Sequence, residues 1–182
     1  MQSTSASISG TRQPEYWDLL DAEGHPIGLR HVRGEPLPEG TYHRVVEIFT
    51  VNSCGELLTT LRAPDKRLFP SMWEVTGGAV VAGEDSLTAA ARELREETGI
   101  AVQPDALTLL TCHRGRSYLM DMYLVRRDAA IKDLVMQPGE TTAARWVTWD
   151  EFERMIGEGV VPEPVGQRFR EVKPLLLSHL KG

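Results

Sequence analysis

The sequence predicts an α/β fold of the mixed-sheet (α+β) kind, with helices packed on both sides of the sheet. Three observations predict it. Short apolar runs with strand character recur through the first two thirds of the chain, residues 84–98 carry a clear helical period, and two further helical segments close the sequence. At 182 residues the chain is long enough to bury a substantial core.

Taken in order, residues 1–13 are rich in Ser and Thr and are expected to form a flexible tail, leaving residues 14–182 as a single domain. Residues 16–21 read as a strand, 21–24 as a turn and 26–29 as a short return strand. A connection rich in Pro and Gly spans 34–40. Apolar runs at 42–51 and 56–62 flank Asn52, Ser53, Cys54 and Gly55, the pattern of a hairpin with glycine at the end of its turn. Residues 63–71 form a polar loop with Pro64, Lys66, Arg67 and Pro70. A brief strand at 72–75 is expected to run into a turn at Gly77 and Gly78.

The helix at 84–98 has acidic residues and Ser86 at its start, and Gly99 falls at the C′ position. Its Leu87, Ala90, Ala91 and Leu94 share one stripe at i, i+3, i+4 and i+7. Strands follow at 107–113 and 118–125, joined through a basic turn at 114–116, and another at 143–148. Helices are expected at 150–156 and 167–180. No internal repeat and no linker composition divides the chain.

Composition narrows the function. The hydrophobic content is 41%, the charged content 25% and the net charge −6, and no run of five Lys or Arg occurs, which argues against an extended nucleic-acid partner. No apolar stretch approaches the ~18 residues of a membrane span, and the opening residues lack the basic and apolar regions of a secretory signal. Two cysteines, Cys54 and Cys112, do not make a disulfide framework, so free thiols and a cytoplasmic location are expected.

Chemistry concentrates in the helix. At about 100° per residue, Glu93 and Glu97 lie one turn apart and Glu96 sits beside Glu93, so three carboxylates crowd one side. Like charges at this spacing destabilise a helix by roughly 0.2–0.5 kcal/mol per pair. Arg92 offsets part of this, being four residues from Glu96. Clustered carboxylates suit a hard divalent cation such as Mg²⁺, which commonly shares its coordination with substrate phosphates.

Residues 78–100 read Gly78, five residues, Glu84, seven residues, then Arg92, Glu93, Leu94, any residue, Glu96, Glu97, any residue, Gly99 and Ile100. This segment resembles the Nudix box at all nine specified positions, an agreement expected by chance roughly 10⁻⁹ of the time or less per starting point. Residues 40–157 share the family's surroundings, with Trp73 before the glycine pair and Trp146 in a later strand. The resemblance implies a Nudix-type α/β/α sandwich, here with an N-terminal β-hairpin extension, and Mg²⁺-dependent hydrolysis of a small-molecule diphosphate, Mn²⁺ being a substitute. It implies metal ligation by Glu93, Glu97, Glu96 and the Gly78 carbonyl, with Glu140 as the further ligand from outside the box. Glu96 or Glu97 is then the general base, Arg92 orients the glutamates and Glu84 supports the loop. Arg62, Lys66 and Gly77 are the candidates for substrate contact. Many relatives form homodimers, so a second copy of the chain is a candidate partner.

Two other readings compete. Tyr42, His43, Arg44, Arg62, Lys66, Phe69, Pro70 and Trp73 also resemble the isopentenyl-diphosphate isomerase subgroup, which moves a proton at carbon. Its members need a cysteine shortly after the Trp, where this chain has Val75, Thr76, Gly77 and Gly78. Non-catalytic binding modules of the same fold usually lose box glutamates, and none is missing here.

Overall fold

The computed structural model describes residues 14–180, so the tail expected at 1–13 lies outside the described residues. Strands β1 (Tyr16–Leu20) and β2 (Pro26–Val32) pair antiparallel as a separate two-stranded sheet. Asp21 shapes the turn between them, its Oδ1 accepting from the backbone amides of Glu23 at 3.0 Å and His25 at 2.8 Å. The return strand runs three residues beyond the expected 26–29, because pairing continues to Tyr16 opposite Val32. The hairpin is tied to the rest of the chain by paired backbone bonds between Leu20 and Tyr42 and by Ala82 donating to the Tyr16 carbonyl.

The next two strands, β3 (His43–Val51) and β4 (Leu57–Arg62), turn at Gly55, whose φ of 79° is cheap only for glycine. They do not stay together as a simple hairpin. They pair at Val51 opposite Leu57 and then part into two ladders. β5 (Trp73–Glu74) joins β4, whereas β6 (Thr76–Ala79) joins the first half of β3. The chain changes ladders at Val75, which is buried between them. Gly77 and Gly78, expected in a turn, therefore lie in a strand. A Cβ on Gly77 would stand 2.8 Å from the Val46 carbonyl, so the missing side chain is what lets β6 lie against β3.

Helix α1 (Ser86–Thr98) follows, then β7 (Thr108–Arg114) and β8 (Tyr118–Arg126), an antiparallel pair. β8 also runs parallel to β3 over nine residue pairs. β9 (Thr141–Val147) pairs with β4, and α2 (Trp149–Gly157) and α3 (Glu163–Leu180) end the described chain. α3 begins four residues before the expected 167. Pro164 occupies its first turn, where a missing N–H is harmless, and Val165 and Gly166 donate to the Pro162 carbonyl.

Alternation along the strands sends successive side chains to opposite faces. Val46 and Ile48 of β3, with Tyr123 and Val125 of β8, pack under Ala89, Ala90 and Leu94 of α1. Phe49, Val51, Met122 and Leu124 face the other way, onto Phe152 of α2 and Phe169 and Leu176 of α3. Helices thus cover both faces of a mixed sheet.

Trp17 of the N-terminal hairpin stacks on His43 with ring centroids 3.8 Å apart and planes 9° from parallel. Burial, with the Arg33 charge adding to it, pushes the His43 imidazole down to about 4, against a weaker opposing hydrogen bond from the Arg44 backbone. The folded chain therefore binds fewer protons here than the unfolded chain between about pH 4 and 6.5. Stability contributed by neutral His43 is present above 6.5 and is lost as pH falls through that window. Discounted for the ring's partial exposure, the loss is about 2 kcal/mol. Urea unfolding at pH 7 and pH 4.5 should show it, and His43→Gln should flatten that part of the pH dependence.

Candidate active site

Local sequence sets the position of α1. Asp85 caps its start, accepting from the Thr88 amide at 2.9 Å and the Thr88 hydroxyl at 2.6 Å. Gly99 ends it in the left-handed conformation, with its amide on the Arg95 carbonyl at 2.8 Å. With Ala89, Ala90 and Leu94 buried against the sheet, the helical repeat directs Arg92, Glu93, Glu96 and Glu97 toward β6 and the gap between the ladders.

Arg92 organises this side. Its Nε and Nη2 fork onto the two Glu84 oxygens, each at 2.9 Å, and Nη2 also reaches the Ala79 carbonyl at 3.1 Å. Its Nη1 donates to Glu93 at 2.8 Å and Glu96 at 3.2 Å. The Glu84 carboxylate, which raises the Arg92 pKa above the ordinary arginine value, is the strongest of these partners. Glu84 in turn accepts from the Val81 amide at 3.3 Å, joining the loop before α1 to the helix.

Glu97 is different. It is only 7% exposed, and its Oε2 is buried without a hydrogen-bond partner. Burial raises its carboxyl well above the usual range, and the charges of Glu74, Glu93 and Glu140 add to the effect. Burial also raises Glu93, against the opposing charge of Arg92. Glu74, on β5, is raised by burial although Arg62 sits beside it. Carboxylates from α1, from β5 and from the turn before β9 thus gather around buried Glu97.

Glu97 borders a cavity of about 720 Å³, the size of a small-molecule site. Gly77, Gly78, Arg92, Glu93, Glu96 and Glu97 line one side. Glu140 and Gln137 line another, where the Glu140 and Thr141 amides donate to the Gln137 carbonyl and fold the segment into a turn. Glu15, Arg33 and Gly34 of the N-terminal hairpin form a third. A Cβ on Gly78 would fall 2.1 Å from the Glu93 carboxyl carbon, so glycine there makes room for that carboxylate.

Of the residues expected at the site, Gly77, Gly78, Arg92, Glu93, Glu96, Glu97 and Glu140 line the cavity, and Glu84 lies behind Arg92. Arg62 and Lys66, expected to meet substrate, are turned elsewhere. Arg62 pairs with Glu74 at 2.5 Å and donates to the Leu68 carbonyl, and Lys66 pairs with Glu140. Neither is among the cavity-lining residues. Sequence reading passed over Glu74, Gln137, Glu15 and Arg33. Only Glu74 carries a local signal, as a carboxylate between Trp73 and Val75 in an apolar strand. Cys54 lies in the β3–β4 turn and Cys112 in β7, both exposed and both away from the cavity.

Among the described residues no three Glu, Asp, His or Cys side chains already converge as a finished ion cage, since Arg92 holds Glu93 and Glu96 and Lys66 holds Glu140. The donor set nevertheless fits a divalent cation. It consists of hard carboxylate oxygens, and the unpartnered Glu97 oxygen is an acceptor with its desolvation uncompensated.

Comparison with known proteins identifies the family. The profile of the NUDIX domain matches residues 41–166. An uncharacterized Nudix hydrolase of Listeria monocytogenes is 33% identical over 146 residues, 80% of this chain and 86% of that one. A Deinococcus radiodurans protein of known crystal structure superposes with a TM-score of 0.73 at 29% identity, covering 87% of this chain and 99% of that one. The isopentenyl-diphosphate Delta-isomerase of Streptomyces avermitilis is 34% identical over 100 residues, only 54% of this chain and 51% of its own. The carboxylate helix, the glycine strand that makes room for it and these likenesses lead to one conclusion: the chain belongs to the Nudix hydrolase family and is a phosphohydrolase acting on diphosphate linkages.

Proposed function

We propose that the chain hydrolyses the diphosphate linkage of a nucleoside diphosphate derivative or similar organic diphosphate, with Mg²⁺ as its ion and Mn²⁺ as a substitute. The observation that carries this reading is the buried, unpartnered Glu97 oxygen, set among other carboxylates at the edge of a cavity large enough for such a substrate. Glu93, Glu96, Glu97, the Gly78 carbonyl and Glu140 are the ligands in this proposal. A divalent ion bound there neutralises phosphate charge and makes water easier to deprotonate.

The remaining work falls to the chain itself. Arg92 holds Glu93 and Glu96 in fixed orientation, and Glu84 fixes Arg92. Glu97, whose carboxyl is raised well above the usual range by burial, or the more open Glu96 takes a proton from the attacking water. The water oxygen bonds to phosphorus, the bridging P–O bond breaks and the departing phosphate carries away the negative charge. Arg62 pairs with Glu74 and Lys66 with Glu140, so both hold carboxylates beside the site. The isomerase alternative has no thiol in the cavity to support it. The free thiols of Cys54 and Cys112 suit a reducing cytoplasm.

The test is a panel of nucleoside diphosphates and triphosphates, nucleotide sugars, dinucleoside polyphosphates and isoprenoid diphosphates, incubated with Mg²⁺, with Mn²⁺ or with a chelator. Products are identified by mass. At least one organic diphosphate should be split with Mg²⁺ and remain intact with chelator. A panel untouched under every metal condition would favour a binding module and sink the hydrolytic reading.

A further inference from the structure

Besides the box carboxylates, the open end of the N-terminal hairpin lines the cavity. There the Arg33 amide donates to the Glu15 carbonyl at 2.9 Å and the Arg33 Nη1 meets the Glu15 carboxylate at 2.5 Å. Gly34 follows at φ 94°, so the chain turns away as soon as Arg33 has been placed. Both side chains of the pair are roughly half exposed, at 49% and 43%.

Charge around the cavity is uneven. Glu15, Glu93, Glu96, Glu97 and Glu140 are acidic, and Arg33 and Arg92 are the cationic lining residues. Arg92 already engages Nε and both terminal nitrogens with Glu84, Glu93, Glu96 and the Ala79 carbonyl. Arg33 donates through one terminal nitrogen to one carboxylate. A half-exposed pair of this kind is weak, so its exchange for a more highly charged oxyanion is inexpensive. The fork of a guanidinium matches two phosphate oxygens at once.

We propose that Arg33 binds the phosphate of the substrate that the box carboxylates do not hold, leaving Glu15 to do so, and that the N-terminal hairpin thereby selects ligands with two linked phosphates over those with one. This assignment deepens the diphosphate reading above and rests on it for the identity of the substrate. It gives the far phosphate the partner that Arg62 and Lys66, engaged with Glu74 and Glu140, do not supply. Glu15 acts as an internal competitor, holding the guanidinium in place in the free protein.

The experiment is calorimetric titration of the full chain, in excess Mg²⁺, with inorganic pyrophosphate and separately with inorganic phosphate. Arg33→Ala should weaken pyrophosphate binding by about tenfold and change phosphate binding by less than about twofold. Arg33→Lys, which keeps the charge without the fork, should recover only part of the loss. Glu15→Gln should tighten pyrophosphate binding, because the competitor is removed. A merely structural role for the pair would make Glu15→Gln and Arg33→Ala weaken both ligands alike. That result overturns the inference, as does pyrophosphate binding that is undetectable in the wild type or unchanged in Arg33→Ala. Mass analysis of each titrated sample shows that the pyrophosphate is intact, so the readout is binding and failure of the substrate panel remains a separate result.

Discussion

Replacing Glu97 by Gln is expected to lower Mg²⁺-dependent turnover of the best organic diphosphate by about 10²- to 10⁴-fold, the range associated with losing a positioned proton acceptor or metal ligand. The amide keeps the size of the side chain and removes its charge. Glu97 is 7% exposed, and its carbonyl accepts from the Thr141 hydroxyl at 3.0 Å, a bond the substitution leaves intact. The loss should therefore appear as a fall in kcat with the fold preserved, measured by steady-state kinetics beside circular dichroism.

The same substitution should act on stability with the opposite sign. The folded-state pKa of Glu97 is raised, so between about pH 4.5 and that raised value the folded chain binds more protons than the unfolded chain. Stability is then highest while the carboxyl is protonated and falls as pH rises through this window. Without divalent ions, Glu97→Gln should unfold at higher urea concentration than wild type at pH 8, and the gap should close below about pH 4.5. Adding Mg²⁺ should narrow the gap by stabilising the wild type. A variant that is both inactive and less stable at pH 8 would mean that the carboxylate serves packing and not chemistry.

The site divides into parts the sequence displays and parts it conceals, according to how far apart the partners lie along the chain. Glu93, Glu96 and Glu97 were legible because a helix converts spacing directly into direction, and Asp85 and Gly99 because caps are local. Arg62 and Lys66 were visible as charges, but their partners, Glu74 and Glu140, lie 12 and 74 residues away. Nothing in the neighbourhood of Lys66 announces Glu140. The same holds for Arg33, whose place on the cavity wall follows from the docking of a whole hairpin through Leu20, Tyr42, Tyr16 and Ala82. Layer order was legible because apolar alternation and the α1 stripe require a covered sheet on two sides. The parting of β3 from β4 was not. A turn with Asn52 and Gly55 specifies that two strands reverse direction, and only the competition of β6, β8 and β9 for their edges decides how far they remain paired.

That competition makes the glycine pair the sharpest remaining probe of the arrangement. Gly78→Ala places a methyl group 2.1 Å from the Glu93 carboxyl carbon. The obstructed atoms are the end of a flexible side chain, so Glu93 swings aside and breaks its 2.8 Å contact with Arg92 while the backbone stays where it is. Displacing a reacting-site group by an ångström or more is expected to cost about 10²-fold in kcat/KM, with little change in urea midpoint. Gly77→Ala meets a different obstacle, the Val46 carbonyl at 2.8 Å, in the strand that β6 must pair with. Backbone cannot swing aside, so this neighbouring substitution should cost about 1–3 kcal/mol of stability through a strained β3–β6 ladder. Measuring both variants by denaturation and by turnover separates the two roles. If Gly78→Ala keeps full activity, the Glu93 carboxylate is not needed in the position it holds, and the metal-ligand assignment built on that position fails with it.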